Sequence, residues 1–185
     1  MFPPIPSWDS MHPLIVHFPI ALLLVAPLLI VLGLFLPTHN RGLFIGALVV
    51  MVLGTIGTYF AVATGQVAGE LAERTPGVAS VLERHEELAG TTRAIFTALA
   101  VVFAAILFVP SIFKKGLSRK TVTVVSLAFL LLYAGGAVLL ANVAHQGGML
   151  VHQYGVHAMM GAPSQNAPEK KSETTSREAE SEREK

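Results

Sequence analysis

Four long stretches of the 185-residue chain carry no Asp, Glu, Lys or Arg: residues 13–36, 42–63, 94–113 and 121–144. A helix rises about 1.5 Å per residue, so roughly 20 apolar residues cross a hydrocarbon core about 30 Å thick. All four stretches meet that length, and their unbroken apolar character lacks the alternation of a membrane barrel strand. The pattern predicts an all-α fold, an integral membrane four-helix bundle. Between the second and third spans the pattern changes. Val78, Val81, Leu82, His85, Leu88 and Ala89 recur at three- and four-residue steps, while Glu83, Arg84, Glu86 and Glu87 take the other side. That spacing predicts an outer-face amphipathic helix over about 78–90, with Ser80 and Glu83 as its capping box. Beyond residue 160 the apolar pattern ends. Residues 161–185 are rich in Glu, Lys and Ser with no aromatic or branched aliphatic side chain, which predicts a disordered charged tail following a membrane domain over 1–160.

Composition agrees: 52% of residues are hydrophobic and only 14% charged, with a mean hydropathy of +0.60, values outside the range of a soluble domain. The chain has no cysteine, which excludes disulfides, thiolate metal sites, iron–sulfur ligation and covalent c-type haem. A net charge of +1 without a basic cluster gives no reason to expect nucleic acid as a partner. The partner that the pattern does imply is the lipid bilayer. No Lys or Arg precedes the first apolar run, so that run reads as a retained helix and not as a cleaved signal.

Charge also orients the chain. Four helices return the C-terminus to the starting side, leaving residues 37–41 and 114–120 on the other. The second of these connections has Lys114, Lys115, Arg119 and Lys120 and no acid. Basic short loops stay cytoplasmic, so both termini and the long 64–93 segment are expected outside, in a multi-pass protein of the cytoplasmic membrane.

Six of the seven histidines then fall on the outer side: His12, His17, His85, His145, His152 and His157, with His39 alone opposite. Periodicity aims His85 at the bundle. With the edges of the apolar runs as depth markers, His17 and His145 form an inner pair and His12, His85 and His152 an outer group. A single histidine at a helix end commonly bonds a carbonyl or a headgroup; six on one face suggest a cofactor or metal. Gly54, Gly57, Ala61, Gly65 and Gly69 form a small-residue ridge, which serves either close helix packing or the seating of a flat cofactor.

Three stretches carry a resemblance: HPLIVHFPIA at 12–21, ATGQVAG at 63–69 with His85 after it, and GGMLVHQYGV at 147–156. The chain resembles the DUF2231 family of small bacterial four-helix membrane proteins over roughly residues 11–158. The resemblance singles out His12, Pro13, Pro19, His85, Gly147, Gly148, Tyr154 and Gly155, with His17 matching one form of the opening motif; His145 and His152 have no place in it. It implies a module of respiratory membranes, with a respiratory redox protein or complex as partner.

Three functions remain open on these residues. The first is a b-type haem module for electron transfer or redox sensing, with axial ligands among His12, His17, His85 and His145 and Arg93 facing the propionates; the commoner reading of an Arg at that place is a snorkelling interfacial side chain. The second is copper or zinc binding through His145, Met149, His152 and His157, with Met159 and Met160 nearby. The third is a non-catalytic subunit of a membrane complex. No activated nucleophile or intramembrane carboxylate suggests an enzyme. The orientation is testable directly: a reporter active only in the cytoplasm should be silent when fused to the C-terminus and active when fused at Arg41, and the reverse result would invert the side on which the histidines lie.

Overall fold

The computed structural model describes residues 8, 10–72, 74–113 and 116–156. The predicted tail at 161–185, His157, Met159 and Met160 lie outside them. Four helices follow one another: α1 (His12–Phe35), α2 (Asn40–Leu71), α3 (Pro76–Ile112) and α4 (Arg119–His152), with no strand among the described residues. Each is long and apolar enough to span a membrane, and the protein is a multi-pass, all-helical membrane protein.

The helices run past the apolar stretches. α1 has 24 residues, while α2, α3 and α4 have 32, 37 and 34. At 1.5 Å per residue the three longer ones are about 48–55 Å long, well beyond a hydrocarbon core of roughly 30 Å. The excess lies at the end where α1 begins. This corrects the expected boundaries of 42–63, 94–113 and 121–144, because loss of apolar character does not end a helix; a backbone interruption does. α2 continues to Leu71 and stops where Ala72 turns extended (φ −72°, ψ 136°). α3 starts at Pro76, whose missing N–H is harmless in a first turn. The amphipathic segment at 78–90 is therefore not a separate helix between spans but the first turns of α3. Ser80 does not cap it either: Thr75 holds the N-cap position, and the Ser80 hydroxyl donates to the Gly77 carbonyl.

Consecutive helices pack side by side, α1 on α2 most extensively, while the α1–α4 seam is the slightest and the backbones of the diagonal pairs do not approach closely. Small residues set the close α1–α2 approach. A Cβ on Gly54 would come within 2.9 Å of Leu23, and one on Gly57 within 3.1 Å of Pro19. The lower ridge thus serves packing. Inside, an aromatic column runs along the axis: Phe44 meets Phe103, Phe103 stacks on Phe129 at 4.8 Å, and Tyr133 contacts both Phe129 and Phe96.

One hydrogen bond ties the slight seam. Pro27 lies inside α1 and has no N–H, so it leaves the Leu23 carbonyl four residues earlier without its helical donor. The buried Tyr133 hydroxyl of α4 donates to that carbonyl at 2.6 Å. In hydrocarbon an orphaned carbonyl costs several kcal/mol, so proline and tyrosine are coupled. Tyr133→Phe should lower stability by about 1 kcal/mol. In a Pro27→Ala background, where the restored N–H reaches Leu23, the same change should cost measurably less. Reversible unfolding in mixed micelles reads the cycle, and additive costs would refute the coupling.

Candidate functional site

The overhanging end brings together residues from all four helices. His12 opens α1, Thr64 and Gly65 lie near the end of α2, His85 lies in the third turn of α3, and Val143 and Gly147 belong to the last turns of α4. The rings of His12 and His85 stand 6.4 Å apart between centroids, their planes at 88°. Helices α1 and α3 are diagonal, so these two rings meet across the bundle axis and not within a packed helix pair.

Glycines make the room. A Cβ on Gly65 would lie 2.8 Å from His12 Cε1, and one on Gly147 would lie 3.2 Å from His85 Cε1. The upper ridge of α2 therefore serves an imidazole, where the lower ridge serves helix packing. His85 shares its inward face with the buried Val78 and Leu82, while Glu83, Arg84 and Glu87 are exposed. Glu86 departs from the periodic reading: it is half-buried, with a carboxylate oxygen against Gly69.

Hydrogen bonding fixes which ring nitrogen is free. His85 Nδ1 lies 3.0 Å from the Val143 carbonyl, which only accepts, so Nδ1–H is the donor. The Thr64 hydroxyl donates its one proton to the Phe60 or Ala61 carbonyl, at 2.9 or 3.1 Å. With that proton so placed, its oxygen accepts from His12 Nδ1–H at 3.2 Å, and the same ring also bonds the Ala61 carbonyl. The Val143 carbonyl holds His85 in the Nδ1–H tautomer, and a Thr64 hydroxyl turned to its own helix favours the same form of His12; in such a neutral ring Nε2 is left with its lone pair. Metal-binding histidines are oriented in this way, one N–H anchored so that the other nitrogen ligates.

The other sequence candidates are arranged differently. His17 is exposed, and its Nδ1–H donates to the Pro13 carbonyl of its own helix at 2.6 Å. His145 and His152 are exposed and Met149 is half-buried. No group of three or more His, Cys, Asp or Glu side chains in reach of one metal ion occurs among the described residues. Arg93 is engaged elsewhere, its Cζ 5.1 Å from the centroid of the Tyr59 ring, a cation–π contact on the α2–α3 face. It lies eight residues, about 12 Å, along α3 from His85. The expected depth order of inner pair and outer group is also corrected. His85 sits level with Val143 and Gly147, and so with His145, because the apolar run of α3 begins deeper than that of α4, although the two helices lie flush.

Sequence reading passed over two threonines. Thr64, fully buried, anchors His12. Thr92 is 3% exposed and its hydroxyl has no hydrogen-bond partner among the described residues. It stands seven residues after His85, two turns along the same inward face; that i+7 relation was the available signal.

Of the residues marked by the resemblance, His12, His85 and Gly147 lie together. Pro19 seats on Gly57, Tyr154 lies against Gly77, and Gly155 turns the chain after α4 at φ 65°. The family model described as predicted membrane protein DUF2231 matches residues 9–160. The chain belongs to the DUF2231 family. No curated protein and no solved structure matches it. The matched region of this DUF2231 chain contains every described helix and both paired histidines.

The tautomers can be tested without any cofactor. In protein labelled with 15N-histidine, His12 and His85 should show the Nδ1–H form, whereas an exposed imidazole such as His145 should favour Nε2–H. Thr64→Val should release His12 alone. Nε2–H at both paired rings would refute the geometry.

Proposed function

We propose that this DUF2231 protein is a b-type haem module of the cytoplasmic membrane, serving electron transfer or redox sensing near its outer face. The observation that carries the reading is the pair of anchored imidazoles, His12 and His85, presented across the bundle axis by diagonal helices.

The donor set supports haem over a bare ion. Zinc and copper sites take three or four protein ligands, and the described residues offer no such group. Haem supplies four equatorial nitrogens and asks the protein for one or two axial ligands. Spacing supports it as well. A metal–imidazole bond of about 2 Å, with roughly another 1 Å from nitrogen to ring centre, puts two imidazoles on one metal about 6 Å apart, and the observed separation is 6.4 Å. The orphaned Thr92 hydroxyl, on the same face of α3 beneath His85, calls for a polar group that the described residues do not supply.

Haem, when bound, would supply one-electron chemistry at iron. The chain's own contribution would be orientation and dielectric. Val143 and Thr64 fix the two rings, and the apolar walls below them keep water away, both of which tune a redox potential. Electrons would pass to or from a respiratory redox partner at the outer face. The basic 114–120 connection supports the cytoplasmic placing of the opposite end.

Protein from haem-replete cells should show a Soret band and a b-type reduced spectrum. His12→Ala and His85→Ala should each abolish six-coordination and lower haem retention, by about tenfold or more; Thr64→Val should lower it by a smaller factor. His39→Ala, at the other end, should change neither. A haem-free preparation whose copper or zinc content depends on His12 and His85 would replace this reading with metal binding. Absence of both would leave a structural subunit.

A further inference from the structure

The end of the bundle opposite the histidines has a different character. An open cleft of about 630 Å³ lies between the start of α2, the end of α3 and the start of α4. Phe44, Phe103 and Leu107 form its apolar wall, and Asn40, Arg41 and Ser111 are polar residues at its lining. A smaller lobe of about 230 Å³ adjoins it toward α1 and is lined in part by Arg119. Asn40, Phe44, Leu117 and Val122 are common to both lobes, so they open on a shared mouth.

Charge at this mouth is one-sided. Arg41, Arg119 and Lys120 belong to this end, and no Asp or Glu occurs anywhere between residues 10 and 69 or between 88 and 168. Arg41 and Arg119 are exposed and lack a carboxylate partner among the described residues. Both α2 and α4 begin here, so their N-terminal amides add partial positive charge. Loop topology accounts for cations at a membrane face. It does not account for two of them rimming a cleft whose floor is apolar.

We propose that this cleft binds an anionic phospholipid of the adjacent leaflet. An acyl chain occupies the larger lobe against the exposed Ile45, Phe108 and Leu117, over a floor of Phe44 and Phe103, and the phosphate rests between Arg41 and Arg119. Each part of the ligand meets its complement: hydrocarbon lies on aromatic and aliphatic side chains, and negative charge faces arginines with no competing acid. Volume fits the class, since ligand pockets run from about 300 to 1,000 Å³. Basic pockets between membrane helices recognise anionic headgroups on the same physical grounds.

Thermal unfolding of the full chain in detergent, with phosphatidylglycerol or phosphatidylcholine added, tests the proposal alongside native mass spectrometry of retained lipid. Phosphatidylglycerol should be retained and raise the melting temperature; phosphatidylcholine and inorganic phosphate should not. Arg41→Gln and Arg119→Gln should each weaken retention about fivefold, the factor corresponding to about 1 kcal/mol per cationic residue near a membrane. Ser111→Phe, which fills the cleft from an exposed position and keeps both arginines, should also reduce retention. Arg84→Gln, at the other end, should leave it unchanged. Because the three cleft positions are exposed, unaltered melting without lipid verifies that the variants fold. Equal protection by phosphatidylcholine, reproduction of the effect by phosphate alone, or undiminished retention in the double arginine variant would overturn the proposal. So would cross-linking of two chains through the cleft.

Discussion

Inside hydrocarbon, a backbone carbonyl without a donor has no water to turn to, and this constraint organises the bundle. Pro27 creates such a carbonyl at Leu23, and Tyr133 of α4 supplies the missing proton. The bond lies where it matters most, since α1 and α4 otherwise touch least. Tyr133 is also a link in the aromatic column, held between Phe96 and Phe129. One side chain thus closes the ring of helices and fixes the core that the others pack against. The same chemistry recurs at the histidine end. His85 gives its Nδ1 proton to the Val143 carbonyl, so the imidazole bonds α3 to α4 and is oriented by the same contact.

Small residues supply the second half of the design. The ridge on α2 is a single sequence feature with two structural uses. At Gly54 and Gly57 it admits the side chains of α1, including the ring of Pro19; at Gly65 it admits the imidazole of His12. Packing and site-building are therefore continuous along one helix face. Gly147 does for His85 on α4 what Gly65 does for His12 on α2. Neither glycine is there for conformational freedom. Both are helical, and what each provides is the absence of a Cβ where a ring must pass.

The spans, their number and the inward face of His85 were legible because hydropathy and periodicity are local properties of the chain. Helix ends were less so. Apolar runs mark where lipid ends, whereas α3 begins at Pro76, eighteen positions before its apolar stretch begins at Ala94. That gap also upset the depth order, because run edges are reliable depth markers only when the apolar runs of neighbouring helices begin at one level. The meeting of His12 with His85 was not legible, since nothing in either local pattern says which diagonal partner a ring will face. Thr64 and Thr92 were passed over for a related reason. A threonine in an apolar run looks tolerable anywhere, and only tertiary structure separates one that anchors an imidazole from one left without a partner.

The two ends of the bundle differ in a way that bears on both proposals. At one, two imidazoles gather; at the other, arginines gather without a carboxylate partner among the described residues. The aromatic column lies between, from Phe44 in the cleft wall to Phe96, which follows Thr92 by one turn on the inward side of α3. Close-packed interiors deform little, so an occupant in the cleft would bear on Phe44 and, through Phe103 and Phe129, on Tyr133. The Tyr133 bond to Leu23 holds α1 against α4, and α1 carries His12 eleven residues earlier. A lipid at one leaflet and a cofactor at the other would then share a single rigid core, and the spacing of the two imidazoles is the quantity through which that core would register either one.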